Sequence, residues 1–299
     1  MSTSERLTQI FDSAFEIKIT DKSKLILIGD CHRGDASWAD DFADNQDLYY
    51  FALKYYDKHG FIYIELGDGD DLWENKEFWR IRKTYSQIFN LLSNLYGKKR
   101  FHLIAGNHDH ERLDPKTAAR TLYEYSDEHS GIKLPLFPDI PVREGIKLTH
   151  SHTGNSILLV HGHQGSLIDD RWWRVGRFWV RHVWRPLQFL GVNDPTRPAR
   201  NFRRREKVER KLTDWVHTHH HMLIAGHTHR PSFPPKGRAA YFNVGSCVHP
   251  RTITGLEIVK GTIRLVEWYE EPDAKGFLRI VSRTIGGPAK LADYLEPRS

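Results

Sequence analysis

FIYIELGDGDDLWE, residues 61–74, runs six mostly apolar, β-favouring residues into Gly67-Asp68, with Asp70, Asp71 and Glu74 close behind. A buried strand that ends in Gly-Asp delivers a carboxylate to the carboxyl edge of a sheet, the edge where open α/β folds bind ligands. One carboxylate has two oxygens, so a single Asp at that edge can bridge two cations. An acidic turn after a strand is common on its own. The reading becomes chemical only if other strands bring metal ligands to the same edge.

They do. KLILIGD, residues 24–30, is a second apolar run ending in Gly-Asp and followed by Cys31-His32-Arg33. Asp30 and His32 are two apart, which places both side chains on one side of extended backbone. FHLIAGN, residues 101–107, leads into His108-Asp109; SILLVHGH, residues 156–163, carries His161 and His163; and Met222–Gly226 leads into His227-Thr228-His229. Five strand ends thus offer Asp30 and His32, Asp68, Asn107 and His108, His161, and His227 with His229. A mixture of carboxylate, amide and imidazole suits Mn²⁺, Fe²⁺ or Zn²⁺ better than Ca²⁺ or a thiolate site.

The segments between these strands read as helices. Asn45–His59 has apolar positions at Leu48, Phe51, Ala52 and Tyr55, and Trp73–Tyr96 reads as one long helix closed by Gly97; Asp114–Asp127 is also expected to be helical. Val142–His150 and Ser156–His161 are expected as two strands about a turn at Thr153-Gly154-Asn155. Thr252–Ile258, Thr262–Tyr269 and Phe277–Ser282 alternate like antiparallel strands with a hairpin at Lys260-Gly261, and the tail from Gly286 to Ser299 reads as loosely held. Strand, helix, strand, helix, strand with apolar strands is the signature of parallel βαβ units.

Composition sets bounds. The chain has 299 residues, enough for a sizeable core, and no uninterrupted apolar run long enough to span a bilayer. Its first residues, MSTSERLTQIFDSAF, lack the apolar centre of a signal peptide, and two cysteines are too few for a disulfide framework. A cytoplasmic, reducing setting is the expectation. The net charge of +6 is uneven: Arg171–Lys211 holds thirteen Arg and Lys against three acids, a net of +10, and the remainder is near −4. A local anionic partner explains this better than a generally cationic protein.

That segment interrupts the motif series. Ser166–Thr213 is too long for a plain connection and reads as an insertion in a single domain spanning 1–299, a helical lid over about 166–213. On a helical wheel, Arg171, Arg174, Arg177, Arg181 and Arg185 share one arc, while Trp172, Trp173, Trp179, Trp184 and several valines cover most of the rest. An Arg stripe beside a Trp/Val face suits a membrane-surface helix or a lid over an acyl chain. A helix packed on the core is an equal alternative, and nucleic acid is a third.

The series GDCH, GDGDD, GNHD, HGH and GHTH, closed by Asn243-Val244-Gly245-Ser246, resembles that of the calcineurin-like metallophosphoesterases. The resemblance implies a four-layer α/β/β/α sandwich carrying two divalent metals, Mn²⁺ first. Carried over by position, Asp30, His32 and His229 would hold one ion, Asn107, His161 and His227 the other, with Asp68 bridging. His108 would be the catalytic histidine and Asp109 the residue that orients it. Arg33 is a candidate phosphate contact or a solvated surface residue. Asp71 reads as orienting a ligand, while Asp35, Asp70, His110 and His163 read as non-ligands, and His217, His219, His220 and His221 as a solvated helix end. GDxxDLW, GNHD and HG-x-Q followed by an insertion further resemble the enzymes that hydrolyse UDP-2,3-diacylglucosamine, although His108 and His163 stand where the best-known branch of those enzymes has Arg and Asp. On that reading the substrate is a phosphorylated small molecule or lipid, contacted by Arg33, Arg171 and Arg174, with membrane contact through residues 171–187. Phosphoprotein, nucleotide and nucleic-acid phosphoesters are the alternative substrates, and a scaffold without catalysis is a third possibility.

Overall fold

The computed structural model describes residues 1–127, 130–164 and 202–295. Arg171, Arg174 and most of the expected insertion lie outside the described residues.

β2 (Lys24–Ile28), β3 (Ile62–Leu66) and β4 (Phe101–Ile104) pair in parallel, and β7 (Val142–Arg143) extends them. β12 (Thr252–Val259), β13 (Thr262–Pro272) and β14 (Leu278–Lys290) add an antiparallel flank, completing the order β14-β13-β12-β2-β3-β4-β7. A five-stranded sheet runs β1-β8-β9-β10-β11, built from Phe15–Ile19, Gly145–His150, Ser156–Val160, Met222–Ala225 and Tyr241–Asn243. Two short strands, β5 (Glu124–Ser126) and β6 (Lys133–Pro135), pair separately.

The period-two alternation of the strands builds the layers. Leu25 and Leu27 of β2 join Ile64, Leu66 and Ile104 in the core facing Leu148, Ile157 and Leu159 of the second sheet. Ile26 and Ile28 point the other way, into a core with α2 (Gln46–Lys58), α3 (Phe78–Thr84), α4 (Ser86–Gly97) and α5 (Pro115–Leu122). α1 (Thr3–Ser13) and α6 (Phe202–His219) add Leu7, Ile10, Leu212, Trp215 and Val216 to the core of the five-stranded sheet. Helices, sheet, sheet, helices is the expected α/β sandwich. Each fully buried aliphatic side chain contributes about 1.5–3 kcal/mol, so the strand ends are rigid platforms.

Several expectations change. The helix read over 73–96 begins only at Phe78 and breaks at Tyr85, whose φ of −106° and ψ of 36° leave the helical region. Its hydroxyl donates to Asp40, and residues 71–75 close a turn through Asn75 N–H to Asp71 O at 3.0 Å. The helix expected over 114–127 stops at Leu122. The strand expected over 142–150 divides at Glu144, where the chain leaves one sheet for the other. The tail is held through Tyr294: residues 286–290 belong to β14, and Tyr294 packs on Phe242 at 4.9 Å and donates to Pro234 O at 2.7 Å. α1 and β1 add to the elements expected, and α1 opens on a reciprocal capping box between Ser2 and Glu5.

Candidate metal centre

The seven residues expected as ligands converge from both sheets. β2, β3 and β4 deliver Asp30 and His32, Asp68, and Asn107; β9 and β10 deliver His161, His227 and His229 from the facing sheet. Asp30, His32 and His229 present donor atoms all within 4.8 Å of one another, and so do Asp68, His161 and His227. His229 Nε2 lies 3.2 Å from Asp30 Oδ1 and 3.2 Å from His32 Nε2. His161 Nε2 lies 3.1 Å from Asp68 Oδ2 and 3.2 Å from Asn107 Oδ1. Donors about 2.1 Å from one ion stand about 3.0–3.4 Å apart in octahedral or tetrahedral order, so these separations fit shared ions.

The backbone is bent to make this possible. Asp30, His32, Asp68, His227 and His229 all have φ between 49° and 67°, the left-handed region that non-glycine residues avoid. Such strain costs about 1–3 kcal/mol per residue and clusters at functional sites. It is locked by cross-connections: His32 N–H donates to Asp68 O at 2.8 Å, His108 N–H to Asp68 Oδ1 at 2.8 Å, and His227 N–H to Asp30 Oδ2 at 2.8 Å. The glycines before Asn107 and His227 make room. A Cβ on Gly106 would sit 2.1 Å from Asp68 Oδ1, and one on Gly226 2.3 Å from Asp30 Oδ2.

Further groups aim the donors. His161 donates from Nδ1 to Leu66 O at 2.8 Å, which leaves Nε2 free to bind an ion. Asn243 holds the last ligand loop by donating to Gly226 O at 2.6 Å and accepting from Gly245 N–H at 2.9 Å. Burial alone would raise Asp68, yet the imidazoles of His161 and His108 outweigh it and hold the carboxylate well below its ordinary range. Burial likewise opposes ionisation at Asp30, where His229 and His161 win and pull it down. Both carboxylates are therefore available as ligands at neutral pH.

His108 sits beside the ligands, stacked on Trp73 at 4.5 Å and edge-on to His32 at 4.6 Å. Its Nδ1 is 2.9 Å from Asp71 Oδ1. This corrects the role expected for Asp109. Asp71 orients His108, whereas the Asp109 carboxylate accepts from Gly106 N–H at 2.6 Å and Gly69 N–H at 3.1 Å, bracing two loops. Burial, with the Asp68 charge adding to it, pushes Asp109 up to about 7. The Gly-Asp-x-x-Asp spacing flagged Asp71; only the turn that swings it toward His108 gives it this partner.

Arg33 is also corrected. Its guanidinium is buried and spent: Nη1 and Nη2 donate to Glu65 at 2.8 and 2.9 Å, and Nε to Asp70 at 2.7 Å. Asp70 accepts from Arg112 as well, at 2.6 Å. Arg33 therefore braces β3 and the loop after it, buried away from the surface a phosphate would reach. Glu65 and Arg112, the other members of this network, were not singled out by the sequence. His163 is buried behind His161, with neither ring nitrogen bonded among the described residues. Of the later histidines, His219 donates from Nδ1 to Trp215 O and bonds Thr8 Oγ1 through Nε2, and His221 stacks on Phe11, so these two pack on α1; His217 and His220 are exposed.

A profile of the calcineurin-like phosphoesterase family matches residues 23–231, more than two thirds of the chain, and spans all seven candidate ligands. The chain belongs to that family. Among proteins of curated function, none matches it by sequence. The solved structure of Vps29 from Chaetomium thermophilum is similar over 89% of this chain and 96% of that one, with a TM-score of 0.41 and 12% identity. Family membership and the two donor groups agree on divalent metal binding. No described helix is long and apolar enough to cross a membrane.

Proposed function

We propose that the chain hydrolyses phosphodiester or pyrophosphate bonds with two divalent transition-metal ions, Mn²⁺ first and Fe²⁺ or Zn²⁺ as alternatives. The observation that carries this reading is the convergence of the two donor groups on Asp68, whose Oδ2 lies 3.1 Å from His161 Nε2 and 3.7 Å from His32 Nε2. Asp30, His32 and His229 would hold one ion, Asn107, His161 and His227 the other, with Asp68 between them. Two such ions acidify a water and neutralise phosphoryl oxygens. The chain's own contribution is positional. His108, held by Asp71 and Trp73, is placed to give a proton to the departing oxygen, a role worth roughly 10²–10⁴ in rate. Asp109 and the Arg33 network keep the loops that carry Asp68 and His108 in register.

For the substrate, a UDP-2,3-diacylglucosamine-like lipid-linked pyrophosphate is the favoured reading. It is supported by GDxxDLW and HG-x-Q and by the Arg/Trp pattern of residues 171–187, with Arg171 and Arg174 as anion contacts. That reading goes with a cytoplasmic chain touching the inner face of a membrane through this segment. Phosphoprotein, nucleotide or nucleic-acid phosphoesters are the second reading, since the donor set is indifferent to the leaving group.

The test is hydrolysis of bis-p-nitrophenyl phosphate and of UDP-2,3-diacylglucosamine by the Mn²⁺-loaded protein, with and without EDTA. Chelator-sensitive turnover of either supports the two-metal reaction, and strong preference for the lipid supports the finer assignment. Metal-loaded protein that turns over neither substrate, nor any member of a phosphoester panel, overturns the reading.

A further inference from the structure

A cavity of about 850 Å³ opens between α6 and the connection from β10 to β11. Arg203, Lys207 and Arg210 line it from the helix, spaced four and three residues apart so that they share one face. Arg230 and Arg238 line it from the connection. Two carboxylates, Glu206 and Glu209, also face it. Glu209 is already committed: it accepts from Thr228 Oγ1 at 3.0 Å and pairs with Arg230 at 3.5 Å. Arg203, Lys207, Arg210 and Arg238 form no ion pair with another described residue.

A cationic helix face alone is ordinary solvated surface. Here cations from two separate elements converge on one concavity, five against two carboxylates, and the net positive field favours an anion. The place matters too. Arg230, which lines the cavity, follows the candidate ligand His229 directly in sequence, so one loop serves both the cavity and the donor group. Among the described lining residues Ser232 adds a hydroxyl, the Thr213 hydroxyl donates to Glu209 O at 2.8 Å, and of the two rings at the wall Tyr241 is buried while His217 is exposed. This lining suits a phosphate better than an acyl chain.

We propose that this cavity is an anion subsite holding a second phosphate of the substrate, distinct from the phosphoester that reacts. The proposal rests on the phosphoesterase reading and narrows its substrate to molecules with at least two phosphates.

The test compares two diesters that differ by one phosphate: thymidine 5′-(p-nitrophenyl phosphate) and its 3′-phosphorylated derivative. The Mn²⁺-loaded protein should favour the second in kcat/KM by about tenfold or more, through KM, as charge-assisted contacts to one phosphate allow. The double variant Lys207→Ala/Arg238→Ala, which removes one exposed cation from each wall, should lose that preference and keep bis-p-nitrophenyl phosphate turnover within about twofold. Calorimetric titration supplies a readout without turnover: thymidine 3′,5′-bisphosphate should bind tighter than thymidine 5′-monophosphate to the parent protein and not to the variant. A binding preference of this kind in a protein that hydrolyses no phosphoester sinks the reaction and leaves the subsite standing. Turnover without the preference, or a preference that survives the double variant, overturns the subsite. So does variant-sensitive cosedimentation with phosphatidylglycerol vesicles in the absence of a bisphosphate preference.

Discussion

In an Asp71→Asn variant, His108 keeps an acceptor near Nδ1 but loses the negative charge 2.9 Å away. The Asp71 carboxylate is itself held well below its ordinary range, because the charges and hydrogen bonds of His108 and His32 outweigh its burial. An interaction of this charge-assisted kind is worth about 1.5–3 kcal/mol, and each 1.36 kcal/mol is a factor of about ten in rate. Asp71→Asn should therefore lower kcat by about 10–150-fold on bis-p-nitrophenyl phosphate. Removing the imidazole entirely with His108→Ala should cost about 10²–10⁴ in rate. Because the two residues act as one unit, the double variant should be no slower than His108→Ala alone. Metal content, measured by mass spectrometry, separates this role from ligand support, since Asp71 Oδ2 also lies 3.8 Å from His32 Nδ1. Full metal occupancy with the stated loss of kcat is the expected result. Unchanged kcat, loss of an ion, or additive losses in the double variant would each refute Asp71 as the partner of a catalytic His108.

Asp68→Ala should release both ions and abolish nearly all turnover; retention of two ions per chain would remove its bridging role. Arg33→Ala leaves Glu65 and Asp70 without their shared cation and should cost about 3–5 kcal/mol in urea unfolding, with no selective rise in KM; a KM effect at unchanged stability would restore it as a substrate contact. His102, desolvated on β4 with the Arg143 charge nearby, titrates at about 4 instead of 6.5. The unfolded chain then binds the extra proton between those values, so this group's stabilising contribution is complete above about 6.5 and is lost as pH falls toward about 4. His102→Gln should flatten that part of the stability curve relative to the parent, as followed by thermal melts across pH; identical slopes would count against the assignment.

The candidate ligand positions could be named because each ends an apolar run. A strand end is a local feature, and the Gly before Asp68, Asn107 and His227 is visible in the motif itself. The donors of Asp30, His32, Asp68, Asn107, His161, His227 and His229 were therefore named without coordinates, and their meeting across two sheets followed from parallel strands sharing one edge. The fold class came from the same alternation, since Leu25 and Leu27 must face one layer and Ile26 and Ile28 another.

Partner choice was not legible. Arg33 follows a ligand motif as a substrate-binding Arg would, and Glu65 looks like a lone acid within a strand. Only β2 and β3 lying side by side brings the two together, and a buried guanidinium takes whichever carboxylates share its burial. Asp109 adjoins His108 in sequence, yet successive residues in that turn point apart, so its carboxylate goes to two backbone amides while Asp71, far along the chain, reaches the ring. The break at Tyr85 and the crossing at Glu144 belong to the same class, decided by what lies across the sheet. By itself the sequence determined which metal-binding residue types end the strands, because residue type and strand end are local properties. The tertiary structure decided which charge answers which, because pairing depends on distance through space and on shared exclusion from water.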